Sequence, residues 1–258
     1  MKKKDTSWGA VATWYEAAVG DNDSYQTQVI APNLTRLMDL RPGEKVLDLA
    51  CGTGFFSGLF GKIVGVKNVI GVDIGKQLIS IAKKNNPEID FRISSADDLS
   101  AFASNYFDKV TIVLAIQNIA EVKAMLMEVN RVLKPSGSVY IVMNHPAFRI
   151  PKRSAWGFDE VTSQQYRRID GYLRESKEEI DMKPGSSKGQ NVEQITVSFH
   201  RPLQYYSKLF SATGFVITRL EEWISHKRSQ VGPRQKEEDR MRSEIPLFLF
   251  VEIKKFGK

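Results

Sequence analysis

Short apolar segments alternate with amphipathic segments through the middle of the chain. The apolar segments predict five strands, at residues 46–49, 69–72, 90–93, 110–115 and 139–143. Between them, apolar residues recur with helical spacing at 55–63, 77–85 and 121–132. Strands that alternate with helices are typical of βαβ units, so we predict an α/β fold whose parallel sheet carries helices on both faces.

The pattern changes after the fifth predicted strand. Residues 145–198 are polar and poorly periodic, and a run rich in Lys, Pro, Gly and Ser at 183–189 predicts a flexible tip. Helical spacing returns at 202–213 and is followed by apolar strands at 215–220 and 246–253. Two amphipathic helices are predicted ahead of the sheet, at 8–19 and 29–40.

The composition of the 258 residues excludes several classes of protein. With 42% hydrophobic and 26% charged residues, the chain has the profile of a globular protein. Cys51 is its one cysteine, which excludes an intrachain disulfide and a cysteine zinc cluster. The three histidines lie far apart in the sequence, so we expect no metal.

The hydropathy and net charge of the chain bear on the cellular location of the protein and on its binding partners. No run of 18 apolar residues occurs, and no apolar core follows the basic start at residues 1–4. We therefore expect a cytoplasmic protein without a membrane partner. The net charge of +7 is compatible with nucleic acid or acidic lipid as a partner but requires neither.

Candidate ligand-binding residues follow the first two predicted strands. Asp48 precedes a loop with Gly52 and Gly54, which let the backbone approach a ligand closely. A dinucleotide fingerprint needs a third glycine where this chain has Ser57, and Asp48 would oppose an anionic pyrophosphate. Asp73 ends the second strand, where a carboxylate can accept both hydroxyls of a ribose. The pattern predicts a nucleoside site without a diphosphate and disfavours a nicotinamide dehydrogenase.

Five segments together resemble the class I S-adenosylmethionine-dependent methyltransferases, in the group with a type 11 methyltransferase domain. They are the glycine motif at 46–54, the ribose-acid strand at 69–74, the adenine loop at 94–99, the entry to the fourth strand at 107–110 and the turn at 131–138. The resemblance runs over about residues 46–143. It implies S-adenosylmethionine as the cofactor and a Rossmann-like sheet of seven mostly parallel strands, the last of them antiparallel.

The cofactor contacts that the resemblance implies fall into three groups. The methionine part would be held at Asp48, Ala50, Gly52, Gly54 and Ala115. Asp73 would accept the ribose hydroxyls, and the adenine would be bordered by Ile74, Ala96 and Asp97. Family members often have an acid where this chain has Ser95, so the contact to the adenine amino group would pass to Asp97 or weaken.

Under this interpretation the chain divides into four parts. Residues 1–40 would form an N-terminal helical cap and 41–144 the cofactor-binding core. Residues 145–200 would form a substrate lid inserted after the fifth strand, and 201–258 the last helix with strands six and seven. The inserted segment is far longer than a usual connection of about 2–6 residues. Such an excursion at the edge where ligands bind predicts a lid over the acceptor.

Residues on the acceptor side are predicted from position alone. His145 follows the fifth strand and is the candidate general base, because an acceptor that carries a proton must lose it. The alternative is a histidine that holds the loop by a hydrogen bond. Candidate substrate contacts are Tyr15, Tyr25, Gln117 and His200. For the two tyrosines, the alternative is that they are packing residues of the N-terminal helices. For Gln117, the alternative is that it is a turn residue.

Methyl transfer to a small-molecule acceptor is the function that these patterns favour. The inserted segment interleaves aromatic residues with arginines and lysines, which also suits stacked RNA bases, so an RNA methyltransferase is the alternative. Against it, no Asn/Asp-Pro-Pro-aromatic motif follows the fourth strand, and nucleic acid is not the expected partner. A cofactor-binding protein without transferase activity is a third interpretation. We expect a monomer or homodimer.

Overall fold

The computed structural model describes Ala12, Glu16, and residues 21–181 and 195–256. The strands are β1 (Val46–Leu49), β2 (Val69–Asp73), β3 (Asp90–Ile93), β4 (Phe107–Val113), β5 (Leu133–Asn144), β6 (Ser154–Asp159), β7 (Gln164–Ile169), β8 (Ser176–Asp181), β9 (Ile195–His200), β10 (Phe215–Trp223) and β11 (Phe248–Lys255). The helices are α1 (Ala31–Met38), α2 (Phe55–Val64), α3 (Lys76–Asn85), α4 (Val122–Val132), α5 (Leu203–Ala212) and α6 (Gln235–Glu244). A π-helical turn at Gln26–Ile30 leads into α1.

Seven of the strands form one sheet, in the order β10-β11-β5-β4-β1-β2-β3. β1 pairs in parallel with β2 and β4, and the ladder continues in parallel to β3 on one side and β5 on the other. β11 runs antiparallel to both of its neighbours, β5 and β10. The predicted fold class, a mostly parallel seven-stranded sheet with the last strand antiparallel, is confirmed.

Helices cover the sheet on both faces, as the periodicity predicts. One apolar layer packs α4 and α5 against the sheet, through residues such as Met125, Leu126 and Phe210. The other layer packs α1, α2 and α3 against the opposite face, through residues such as Leu34, Phe60 and Ile79. Side chains on both faces of the central strands therefore pack against apolar residues of the helices. This explains why these strands are almost entirely apolar.

Two strands are longer than the sequence pattern predicts. β4 begins at Phe107 rather than at residue 110, and β5 begins at Leu133 although residues 134–137 have turn composition. Phe107 pairs with Leu133, and the register then shifts before Lys109 pairs with Ser138. Residues 134–137 thus stand opposite Asp108 alone and interrupt the pairing with β4, as their turn composition predicts.

The segment between β5 and α5 contains two antiparallel hairpins, β6–β7 and β8–β9. Asn118, which follows β4, donates a side-chain hydrogen bond to the carbonyl oxygen of Val197 in β9 (2.8 Å). Glu237 of α6 accepts one from the backbone amide of Gln165 in β7 (2.9 Å). Each hairpin is thus tied to the main body by a long-range contact. The predicted flexible tip at 183–189 lies outside the described residues, as does most of the helix predicted at 8–19.

No helix in the described part of the chain has the length and apolarity needed to cross a membrane.

Candidate active site

A cavity of about 600 Å³ opens at the carboxyl edge of the central strands. Its walls come from the loops after β1 to β4, from Asn144 at the end of β5, and from the β8–β9 hairpin. Among the residues predicted from the sequence, those that line it are Ala50, Gly52, Asp73, Ile74, Ala96, Asp97, Ala115 and Gln117. The order of strands reverses at β1, so the cavity lies at the switch point where open α/β sheets bind ligands.

The loop after β1 has a left-handed backbone at three positions. Ala50 has φ 58°, Gly52 has φ 56° and Gly54 has φ 79°. A Cβ atom on Gly54 would lie 2.8 Å from the ring of Phe91. Position 54 therefore requires glycine, because of its positive φ and because a side chain would collide with Phe91. Leu114, which follows β4 and also lines the cavity, has φ 53°. Left-handed non-glycine residues at the cavity wall indicate a backbone held by surrounding structure, as in ligand-binding sites.

Asp73 joins two of the loops that line the cavity. Its carboxylate accepts a hydrogen bond from the backbone amide of Gly52 (2.9 Å) and another from the amide of Gly75 (2.7 Å). The side chain is 8% exposed, and it faces the cavity. A carboxylate accepts hydrogen bonds from N–H and O–H donors, so the group is chemically suited to ligand hydroxyls.

Asp48 lies beneath the glycine loop and is not part of the cavity wall. It is 2% exposed, and its two carboxylate oxygens accept hydrogen bonds from Ser57 (2.6 Å) and Thr111 (3.1 Å). Burial raises the pKa of Asp48 to about 6, although these hydroxyls oppose the shift. Asp48 therefore connects β1 with α2 and β4 by hydrogen bonds. Gly54, like Asp48, does not line the cavity.

The loop after β3 forms the far end of the cavity. Ser95 donates a hydrogen bond to the carboxylate of Asp97, and both residues line the cavity beside Ala96. Ile74 and Leu78 contribute an apolar wall next to them. Ser95, which stands where family members often have an acid, thus orients the Asp97 carboxylate.

The side-chain amide of Gln117 has a hydrogen-bond partner for its nitrogen but none for its oxygen among the described residues. Its amide nitrogen donates to the carbonyl oxygen of Leu114 (2.7 Å), which fixes the orientation of the side chain. Its oxygen Oε1 is buried and has no hydrogen-bond partner in the described part of the chain. A buried acceptor without a partner costs about 1–3 kcal/mol, so this oxygen is suited to accept a donor from a ligand.

His145 lies outside the cavity wall, with both ring nitrogens engaged. Nε2 lies 2.7 Å from a carboxylate oxygen of Glu222, and Nδ1 accepts from the backbone amide of Ala147 (3.2 Å). The side chain is 2% exposed, and the ring of Phe148 lies against it at 4.7 Å. Burial lowers its pKa, opposed by the Glu222 carboxylate. These contacts favour the alternative that His145 holds the loop after β5, since a base needs a free nitrogen facing the acceptor.

The remaining predicted substrate contacts are also placed away from the cavity wall. The Tyr25 hydroxyl lies 3.4 Å from that of Ser225, and its ring packs edge-on against Phe248. His200 Nε2 is 2.7 Å from the carbonyl oxygen of Tyr172. Tyr15 lies outside the described residues.

Sequence reasoning missed two contributions to the site. Ile180, Thr196 and Ser198 bring the β8–β9 hairpin into the cavity wall. The buried Arg201 donates to the carbonyl oxygens of Ile119 and Ala120 (2.9 and 3.1 Å) and so positions the loop after β4. A charged residue next to Pro202 at the start of a core helix was the available signal. Among the described residues, no group of three or more His, Cys, Asp or Glu is arranged to hold a metal ion.

The strand order, the glycine loop after β1 and the acid at the end of β2 define the class I methyltransferase fold. Residues 47–141 match the family model described as Methyltransferase domain. A crystal structure of an S-adenosylmethionine-dependent methyltransferase from Mesorhizobium loti superposes with a TM-score of 0.69 at 24% identity, over 87% of this chain and 96% of that chain. Residues 47–141 therefore resemble a methyltransferase domain, and the chain has the fold of the class I methyltransferases.

Curated relatives match the same part of the chain. A demethylmenaquinone methyltransferase of Paenarthrobacter aurescens is 39% identical over 110 residues, which is 42% of each chain. A 2-phytyl-1,4-naphtoquinone methyltransferase of Synechococcus elongatus is 35% identical over 112 residues, covering 41% of this chain and 48% of that protein. The matches thus span about half the length of these relatives.

Proposed function

We propose that this protein is an S-adenosylmethionine-dependent methyltransferase that acts on a small aromatic acceptor of the quinone type. The observation that carries the proposal is the cavity wall in which the Gly52 loop, the Asp73 carboxylate and the apolar Ile74 meet at the switch point. The names of the relatives, which act on naphthoquinones, support this class of acceptor.

The described residues fit the cofactor part by part. Asp73 places a carboxylate in the cavity wall, a group that accepts ribose hydroxyls, and Ile74 and Leu78 offer an apolar surface for an adenine. Gly52 and the left-handed Ala50 expose backbone rather than side chains, which leaves space for the methionine part. S-adenosylmethionine supplies an electrophilic methyl group on a positively charged sulfur.

The contribution of the chain to the reaction is alignment of the acceptor with that methyl group. Holding two reactants in line can supply roughly 7–11 kcal/mol of the barrier without a charged catalytic group. The loop after β4 is suited to this role, because Arg201 and Asn118 hold its backbone and Gln117 presents a buried acceptor oxygen. We propose that Gln117 accepts a hydrogen bond from a hydroxyl of the acceptor.

The β8–β9 hairpin is the proposed lid over the acceptor. Ile180, Thr196 and Ser198 add one apolar and two hydroxyl side chains to a wall that otherwise comes from the sheet edge. A small aromatic ring with hydroxyl groups matches such a mixed wall. An RNA strand would instead need an open, basic surface along its phosphates.

The test combines cofactor binding with transfer of a labelled methyl group. Calorimetry should show binding of S-adenosylmethionine, and labelled cofactor should methylate reduced naphthoquinones more efficiently than total RNA at the same salt concentration. Tight cofactor binding without transfer to phenols, hydroquinones, amines, thiols or RNA would favour the cofactor-binding interpretation. A steep linear fall of log affinity for RNA with log salt would favour the RNA alternative.

A further inference from the structure

A hydrogen bond joins the loop after β4 to the β8–β9 hairpin. The side-chain amide of Asn118 donates to the carbonyl oxygen of Val197 in β9 (2.8 Å). Gln117 is the chain neighbour of Asn118, and Thr196 is the chain neighbour of Val197. Both Gln117 and Thr196 line the cavity. The loop and the hairpin therefore bring two polar side chains to one region of the cavity wall.

Arg201 makes a second connection between the same two elements. It directly follows β9, and its guanidinium donates to the carbonyl oxygens of Ile119 and Ala120 in the loop after β4 (2.9 and 3.1 Å). The residue is 5% exposed, so these hydrogen bonds are shielded from water. Because two connections fix the loop against β9, Gln117 and Thr196 keep their relative position.

Thr196 lies on the face of the hairpin that is turned to the cavity. Alternate residues of a strand share a face, and Ser198, two positions further along β9, also lines the cavity. Ile180, which is paired with Thr196 across the hairpin, lines it as well. Thr196 is 1% exposed, and its hydroxyl makes no hydrogen bond with any residue that the structure describes. This hydroxyl is therefore available to a ligand in the cavity.

Gln117 supplies a polar atom of complementary type. Its nitrogen is held by the carbonyl oxygen of Leu114, and its buried oxygen Oε1 has no partner among the described residues. An amide oxygen can only accept a hydrogen bond, whereas a threonine hydroxyl can donate one as well as accept. Leaving buried polar groups unpaired is unfavourable, so a ligand that pairs with both side chains is favoured over one that pairs with neither.

We propose that Gln117 and Thr196 form a two-point hydrogen-bonding site for the methyl acceptor. The Gln117 oxygen accepts from one hydroxyl of the acceptor ring, and the Thr196 hydroxyl bonds to a second oxygen on the same ring. This inference rests on the proposed function and narrows its substrate class to uncharged rings with two oxygen substituents. A site that hydrogen-bonds a substituent discriminates against analogues without it, because the protein groups are then left unpaired.

The experiment compares two probes that differ in a single hydroxyl, 1,4-dihydroxynaphthalene and 1-naphthol. Their affinities are measured by calorimetry on the full chain, with and without S-adenosylhomocysteine, under anaerobic conditions that keep the dihydroxy ring reduced. We expect the second hydroxyl to raise the affinity about threefold to tenfold, which is the usual contribution of one neutral hydrogen bond.

Variants assign this preference to the two residues. Thr196→Val keeps the shape of the side chain but removes its hydroxyl, so it should abolish the advantage of the dihydroxy ring, whereas Thr196→Ser should retain it. Gln117→Leu should abolish it as well. Thr218→Val is the matched control, because the Thr218 hydroxyl lies outside the cavity wall and bonds to the carbonyl oxygen of Glu252 (3.4 Å).

Three results would overturn the proposal. They are equal affinity of the wild type for the two probes or binding of neither, an advantage of the dihydroxy ring that survives Thr196→Val, and an advantage that is lost equally in Thr218→Val. Failure to bind S-adenosylhomocysteine while the probe preference is intact would count against the proposed function and not against the two-point site.

Discussion

Asp73 at the end of β2 and Gly52 in the loop after β1 are joined by a 2.9 Å hydrogen bond from the Gly52 amide to the Asp73 carboxylate. This contact couples the two loops that we propose hold the methionine part and the ribose of S-adenosylmethionine. The same carboxylate that would accept the ribose hydroxyls thus also shapes the glycine loop.

Replacing Asp73 should weaken cofactor binding. Asp73→Ala removes an acceptor of charge-assisted hydrogen bonds, each of which contributes about 1.5–3 kcal/mol, so we expect an affinity loss of tenfold or more. Calorimetric titration with S-adenosylmethionine measures it. Asp90→Ala, on the neighbouring strand β3 and paired with Arg92, is the matched control. Equal affinities of the wild type and Asp73→Ala would show that Asp73 is not a cofactor contact.

Gly54 and Gly43 provide a comparison of two glycines with the same backbone constraint. Both have positive φ, but a Cβ on Gly54 would contact Phe91 at 2.8 Å, whereas a Cβ on Gly43 meets nothing within 4 Å. Gly43→Ala should cost about 1–2 kcal/mol of unfolding free energy from backbone strain. Gly54→Ala should cost about 1–3 kcal/mol more, because Phe91 must move. Chemical denaturation of both variants checks this, and equal losses would contradict the close packing at Gly54.

The buried Asp48 predicts a specific pH dependence of stability. Its pKa is about 6 in the folded protein and near 3.8 when unfolded, so the folded state holds the proton more tightly. Its stabilising effect is therefore complete below pH 3.8 and is lost as pH rises through about 6. Asp48→Asn removes this titration. We expect the stability of Asp48→Asn relative to the wild type to rise by on the order of 3 kcal/mol over that window.

Denaturation series at several pH values measure this difference. Asp90→Asn, which removes one exposed carboxylate, is the matched control for the change in net charge. A constant difference between wild type and Asp48→Asn from acid to neutral pH would show that burial does not perturb this carboxyl group.

Substitution of His145 should affect stability more than chemistry. His145→Ala removes the hydrogen bonds of the buried ring to the Glu222 carboxylate and to the Ala147 amide, each of which contributes about 0.5–1.5 kcal/mol. The single-turnover rate constant at saturating acceptor should fall by less than tenfold. A fall of about 10²–10⁴-fold with normal stability would instead identify a general base.

The same histidine should also contribute to acid sensitivity. Burial lowers its pKa in the folded state below the usual 6.5, so the unfolded chain takes up a proton first as the pH falls. Stability should therefore be complete above pH 6.5 and should decline below it, towards the lower pKa of the folded state. His145→Asn should remove that part of the decline, which thermal unfolding at successive pH values would detect.

The sequence by itself determined the elements of the core and the part of the cavity wall that follows its strands. Apolar runs and helical spacing are local properties, and in a βαβ unit they dictate both the strands and the faces that the helices bury. The place of Gly52 and Asp73 in the cavity wall could be predicted for the same reason, because Gly52 lies in the loop after a predicted strand and Asp73 ends one. Residues at the ends of parallel strands share one edge whatever the details of packing.

Only the tertiary structure decided which residues beyond the fifth strand line the cavity. His145 also follows a strand directly, but it does not line the cavity, and both of its ring nitrogens are engaged, by Glu222, 77 residues later in the chain, and by the amide of Ala147. Thr196 lines the cavity on a hairpin that is held by a long-range hydrogen bond from Asn118 to Val197. Where local periodicity is weak, the direction of a side chain depends on partners distant in sequence, which a local pattern does not contain.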